Sequence, residues 1–337
     1  MLTICIAGGC GFIGSHLAKK LKMEGHKVII ADIKINEYFL KEEICDELLI
    51  LDLRKLESCL LATKNCDIVY NLAADMGGMG FIQSNNALIL YNNTMISFNM
   101  VEACRQNKIK KILFTSSACV YPEDLQMGND TIYLKEKDAW PANPQDAYGL
   151  EKIVSEQLYI HYYKDFNLDF CIARLHNIYG PKGTWKDGRE KAPSAFCRKI
   201  LCSNYIDEIE MWGDGKQIRS FCYIDDCVEG LIKLMNFSYR EPLNIGSVEN
   251  INMNEMHHLI CSFEDKKVFI KHIKGPEGVK CRSSDNTNIK KILNWEPKTK
   301  LLYGLEKLYF WMKDELKNVD KNTMKKYKKS VIIKNII

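Results

Sequence analysis

Three glycines spaced three apart, in the run Gly8-Gly9-Cys10-Gly11-Phe12-Ile13-Gly14, interrupt the chain directly after the apolar stretch Thr3-Ile4-Cys5-Ile6-Ala7. A helix-like pattern follows to Glu24, Gly25 closes it, and Lys27-Val28-Ile29-Ile30-Ala31 reads as a second strand ending at Asp32. Few folds accommodate this order. Gly8 permits a tight turn, Gly11 lets backbone approach a bound pyrophosphate, and Gly14 allows helix and strand to pack closely. The first helical turn, with Phe12 and Ile13, then offers N–H groups and a positive dipole end to phosphate. A glycine-rich turn alone is weak evidence, and its place between strand and helix is what gives it weight. Asp32 stands 18 residues beyond Gly14, where a carboxylate accepts hydrogen bonds from the adenosine ribose and repels a 2′-phosphate. The expected cofactor is therefore NAD rather than NADP.

Further strand runs at 48–51, 68–72, 112–115 and 170–173 alternate with helical patterns. That alternation predicts an α/β fold, a doubly wound parallel Rossmann sheet with a smaller C-terminal substrate-binding cap. The expected boundaries are 1–180 for the NAD-binding domain with 218–240 returning to it, 181–316 mostly for the cap, and 317–337 for a basic, frayed tail. The net charge of +4 is misleading, because the tail holds seven lysines and one aspartate and leaves residues 1–316 two charges negative. Such a body gives no reason to expect nucleic acid as a partner. The fourteen cysteines form no Cys-x-x-Cys pair and no zinc-like spacing with histidine, so no metal is expected. Cys5, Cys10 and Cys171 fall in apolar runs, where a thiol behaves as a small hydrophobe. The first strand starts almost at Met1 and no apolar run is long enough for a bilayer, so a cytoplasmic protein without membrane contact is expected. Two long helical stretches, 83–107 and 145–163, carry more apolar surface than one core face requires (Leu88, Ile89, Tyr91, Met95, Phe98, Met100). Either they pack on the sheet or they build a two-fold homodimer interface.

The chemistry-bearing residues gather around Ser116-Ser117-Ala118-Cys119-Val120-Tyr121-Pro122 and Tyr148-Gly149-Leu150-Glu151-Lys152. Tyr148 and Lys152 are four apart, so both rise from one helix face. An ammonium ion favours a neighbouring phenolate, which lets Tyr148 act as a base below its usual pKa of about 10. Beside a nicotinamide, such a pair oxidises or reduces a carbinol. Cys119 adds a second proton-transfer group that plain oxidation does not need, which suggests epimerisation through a ketone. Asp52, at the end of another strand run, suits either the adenine amino group or a turn. Asn71-Leu72-Ala73-Ala74 lets the chain pass close beneath a dinucleotide, and Gly77-Gly78-Met79-Gly80 lets backbone close over a reacting sugar.

The glycine triplet, the serine-rich strand end, Tyr-x-x-x-Lys and Arg219-Ser220-Phe221 together resemble the extended short-chain dehydrogenase/reductase family of nucleotide-sugar enzymes. Longer runs narrow the resemblance to the GDP-sugar epimerases of that family: Ala73 to Asn85, Ser116 to Pro122, Pro144 to Lys152, His176 to Pro181, Gly188 to Pro193 and Met211 to Gly215. Together they span about residues 2–315. The segment from Ile200 to Glu208 and the chain beyond Lys317 depart from the pattern. The resemblance implies GDP-mannose as substrate, inverted at C3″ and C5″ through a 4-keto sugar with no net redox change. It implies Ser117 as the hydroxyl on the substrate oxygen, Cys119 as base and Lys191 as acid. Family dehydratases carry an acidic pair where this chain has Ala118-Cys119, so dehydration is not expected. The implied substrate contacts are Gly77, Ser117, Ala118, Cys119, Asn177, Glu190, Lys191, Ala192, Lys199, Gln217, Arg219 and Arg282. The cations among them suit the GDP pyrophosphate. The nearest alternative is a GDP-4-keto-sugar epimerase-reductase resembling GDP-fucose synthase, against whose NADPH Asp32 argues. A non-enzymatic NAD sensor would have lost the proton-transfer groups present here.

Overall fold

The computed structural model describes residues 1–128 and 130–329. Seven parallel strands form the central sheet. In chain order they are β1 (Thr3–Ala7), β2 (Lys27–Asp32), β3 (Glu47–Ile50), β4 (Ile68–Asn71), β5 (Lys111–Ser117), β6 (Asp169–Leu175) and β7 (Leu243–Ile245). Across the sheet they run 3-2-1-4-5-6-7, so the order reverses between β1 and β4. Ligands of such folds bind outside the carboxyl ends of the strands at that reversal. Helices cover both faces, which is why β1 and β6 read as continuous apolar runs rather than alternating ones. Ile4, Ile6 and Ile30 belong to the core on one face, Cys5, Ala7 and Val69 to that on the other. Cys5 and Cys171 are fully buried and Cys10 nearly so, packed as small apolar groups.

The cap is assembled from short pieces. Asn250–Asn252, Ile218–Ser220, Cys281–Ser284 and Tyr133–Leu134 make a four-stranded sheet, and Ile206–Trp212 pairs in parallel with Lys267–Ile273. Helices Ala192–Leu201, Met253–Ser262 and Leu301–Glu315 pack beside them. Two details differ from the expected boundaries. Tyr133–Leu134 leaves the first 180 residues to join the cap sheet. The returning unit starts at Cys222 and runs on to β7, while Ile218–Ser220 stays in the cap. Strands of two or three residues carry no legible period, which is why the sequence misplaces them.

The tail is also corrected. Asp320 caps a helix over Lys321–Tyr327 by accepting from Asn322 and Thr323 N–H groups. The ring of Tyr327 stands edge-on to Trp185 at 5.4 Å, Lys328 pairs with Asp207, and the Lys329 carbonyl accepts from Arg198 Nη1 at 3.2 Å. Through Lys328 and Asp207, the two segments that departed from the family pattern meet each other. Residues 330–337 of the expected tail lie outside the described residues.

Candidate active site

The turn after β1 explains its glycines. Gly8 has φ +76°, and a Cβ there would lie 2.7 Å from the Ala73 nitrogen, so the chain leaving β4 passes directly under the turn. A Cβ on Gly14 would stand 2.3 Å from the Gly8 carbonyl oxygen. Gly11 begins the helix Phe12–Met23 with no side-chain cap, leaving first-turn N–H groups at Phe12 and Ile13 to a ligand. Asp32, 7% exposed, accepts from Cys10 N–H at 2.9 Å and Lys34 N–H at 3.2 Å. Burial raises its carboxyl above the usual range, and those donors oppose the rise. Asp52 is gripped by Arg54 through both carboxylate oxygens at 2.9 Å, the arrangement of a turn aspartate. An uncapped helix start, a glycine cradle and a buried carboxylate at the sheet's reversal fit a dinucleotide. Gly8, Gly11, Phe12, Ile13, Gly14 and Asp32 would hold it.

Past the reversal, Asp146 caps the helix Ala147–Phe166 by accepting from Gly149 N–H at 2.8 Å. This sets Tyr148 and Lys152 in its first turns, both buried. Ser117, ending β5, accepts from Cys119 N–H at 3.1 Å, and its hydroxyl favours the ionised form of the Tyr148 phenol. Lys152 Nζ lies 4.6 Å from the Phe114 ring centre and 5.6 Å from that of Tyr148. The expected depression of the Tyr148 pKa is not what the protein alone produces. Burial pushes the phenol well above its ordinary value, Cys119 and Glu151 add to this, and the Ser117 hydroxyl opposes it. Sequence spacing reveals the nearby charge but not the depth of burial. Gly149 brings the helix against the catalytic strand end, for a Cβ there would be 2.1 Å from the Cys119 carbonyl oxygen. Gly149→Ala is therefore expected to destabilise the fold by about 1–3 kcal/mol and to lower turnover by pushing Cys119 away from Tyr148. Denaturation midpoints and initial rates of the one variant check both.

A cleft of about 210 Å³ opens between this strand end and the cap, and all twelve residues expected at the substrate line it. Lys191 immediately precedes the helix Ala192–Leu201. Burial lowers its pKa, which makes its ammonium a stronger acid, while Cys119 opposes the shift. Glu190 pairs with Arg198 at 2.5 Å, both side chains almost fully buried. A Cβ on Gly78 would be 2.6 Å from the Glu190 carbonyl oxygen, so the glycine run closes on the cap at Glu190. Gly77 lines the cleft beside it. Asn177, at φ +44°, donates to the Ser220 carbonyl at 3.0 Å. Gln217 Oε1 is buried and has no hydrogen-bond partner among the described residues. Arg219 and Arg282 are register partners on adjacent parallel strands. Arg219 is fixed by main-chain carbonyls, Val279 O at 2.5 Å among them. Burial, then Arg282, works against its charge, so an anion there would be welcome. Arg282, expected on phosphate, donates Nη1 to Cys119 Sγ at 3.1 Å and Nε to Gln126 at 2.6 Å.

Lys199 donates to the Glu210 carbonyl at 2.7 Å, and burial brings its pKa down to about 8. The charge is present below that pH and lost above it. The KM for an anionic substrate is expected to rise as pH passes 8, and Lys199→Gln should raise KM at neutral pH and flatten that rise. Steady-state kinetics across the range reads both. The sequence missed Arg198, Gln145 and Trp212, which also line the cleft. Arg198 stands eight residues from Glu190, and no local signal marks that pair.

Tyr148 and Lys152 do not line this cleft themselves but sit behind it, Tyr148 packed against Cys119. A nucleotide fold with a Tyr-x-x-x-Lys couple packed behind a thiol-bearing cleft is the arrangement of a class of NAD-dependent sugar-modifying enzymes. The chain belongs to the NAD dependent epimerase/dehydratase family, whose model matches residues 4–246, and its cofactor is NAD. Within that class it is 57% identical over 315 residues to the GDP-mannose 3,5-epimerase of Arabidopsis thaliana, covering 94% of this chain and 83% of that protein. It is 56% identical to GDP-mannose 3,5-epimerase 1 of Oryza sativa subsp. indica, with 94% and 82% covered. Among solved structures, UDP-glucose 4-epimerase of Thermotoga maritima superposes with a TM-score of 0.81 at 24% identity, covering 94% of this chain and all of that one. That likeness bears on the fold.

Proposed function

We propose that the protein epimerises GDP-α-D-mannose at C3″ and C5″ to GDP-L-galactose, with GDP-L-gulose as the singly inverted product. The observation that carries this reading is that Cys119 and Lys191, from two different elements, line one cleft, and that Cys119 also packs against Tyr148. NAD, when bound, would supply a hydride acceptor for C4″ and the donor for its return. Tyr148 takes the C4″ hydroxyl proton and later gives it back, with Lys152 and Ser117 holding the phenol in place. The C4″ ketone acidifies the C–H bonds at C3″ and C5″. Inversion removes a proton from one face and returns one to the other, which calls for two groups. Cys119 serves as base and Lys191 as acid, the role its burial favours. Lys199, Arg219 and Gln217 take the nucleotide pyrophosphate and its surroundings. Incubation with GDP-mannose and no added reductant tests the reading. GDP-L-galactose should form without NADPH, whereas a product that appears only as NADPH is consumed would make the protein an epimerase-reductase.

Two finer readings accompany it. A homodimer through the two long helices is supported by Leu88, Tyr91, Leu150 and Val154, which are exposed while Ile89 and Met100 are buried. A cytoplasmic setting is supported by all fourteen cysteines being free thiols. No described helix is long and apolar enough to cross a membrane.

A further inference from the structure

The carboxylate of Glu151 is fully buried beside the reacting couple, and nothing in the mechanism above uses it. Its Oε1 accepts from Ser97 Oγ at 2.9 Å and Ser155 Oγ at 2.7 Å. Its Oε2 has no hydrogen-bond partner among the described residues and faces Lys152 Nζ at 3.5 Å, with side-chain exposures of 0% and 2%. Removing a carboxylate from water without a strong reason is costly. Neighbours one apart on a helix ordinarily point to different faces, so two serines are used to hold this one against the lysine.

We propose that Glu151 is a positioning residue that draws the Lys152 ammonium toward itself and thereby tunes Tyr148 to serve as both base and acid. The inference rests on the assignment of Tyr148 and Lys152 as the proton-transfer couple. An enzyme that only oxidises gains from a phenol that ionises readily. One that must return the hydride also needs the phenol to give its proton back, and an unopposed ammonium would favour the phenolate and hold that proton off. A carboxylate that competes for the ammonium and repels the phenolate favours the protonated phenol that the return step needs, and Glu151 is among the groups that push Tyr148 up. The other charged or titratable groups facing Tyr148 are Cys119 from the strand end, Asp146 at the cap and Lys152. Phe81, Ile82 and Ile89 close the remaining side with apolar surface. Tyr159 also senses Glu151, from further along the same helix.

The test is the pH dependence of kcat/KM for GDP-mannose in the full-length, NAD-loaded protein. In Glu151→Gln the limb that rises with pH should move to lower pH by about one unit. Glu151→Asp keeps the charge but withdraws it by one methylene. It should move the limb the same way by less, and it serves if the glutamine variant does not fold. A purely structural role for Glu151 would lower the melting temperature and leave the limb where it is. An unmoved limb in folded variants, or one moved to higher pH, overturns the proposal. Tyr148→Phe is the companion control. If the limb persists without the phenol, the assignment of the base fails rather than the role of Glu151.

Discussion

Tyr148→Phe is expected to leave the fold intact and to lower turnover by about 10²–10⁴-fold, the share a positioned acid–base group contributes. Only the hydroxyl is lost. The ring remains packed with Phe81, Ile82 and Ile89, and Lys152 keeps its contact with the Phe114 face. On the proposed scheme nothing else takes the C4″ hydroxyl proton, so the block is expected before any ketone forms. Single-turnover mixing with GDP-mannose should then show no reduced-cofactor absorbance. Near-normal turnover would remove Tyr148 from the chemistry and, with it, the reading of the buried couple.

Cys119→Ala should give the opposite signature. Hydride transfer does not involve the thiol on the proposed scheme, so reduced cofactor should still appear on mixing with GDP-mannose, while inverted product falls by about 10²–10⁴-fold. The guanidinium of Arg282 would lose its sulfur partner but keep Gln126, so it would stay in place. Lys191→Ala is expected to behave in the same way, separating oxidation at C4″ from inversion at its neighbours. If either variant epimerises at the normal rate, the two-group scheme is wrong.

The sequence made the first half of this machinery legible because its constraints are local. Gly8, Gly14 and Asp32 act through a turn, a close approach and a strand end, each readable at fixed spacing, and Tyr148 and Lys152 share a helix face by period alone. The cap was less legible, since Glu190, Lys191, Lys199, Gln217 and Arg219 came from family likeness rather than from any pattern in the chain. Contacts between distant segments were not legible at all. The Arg282 donor on Cys119 and the docking of Lys328 on Asp207 exist only once the cap has folded. Burial was the other blind spot. The charge of Lys152 argued for an easily ionised Tyr148, and the enclosure that drives the phenol the other way cannot be read from spacing. The burial of the Glu151 carboxylate is invisible in the sequence for the same reason.

The most direct test of the central claim is incubation of the protein with GDP-mannose in D₂O, without added reductant, followed by NMR of the sugar. Deuterium at both C3″ and C5″ in a galactose-configured product is the predicted result, since on the proposed scheme each inversion exchanges a carbon-bound proton with solvent through Cys119 and Lys191. A sugar recovered unchanged and unlabelled, or one inverted only at C4″, would contradict it.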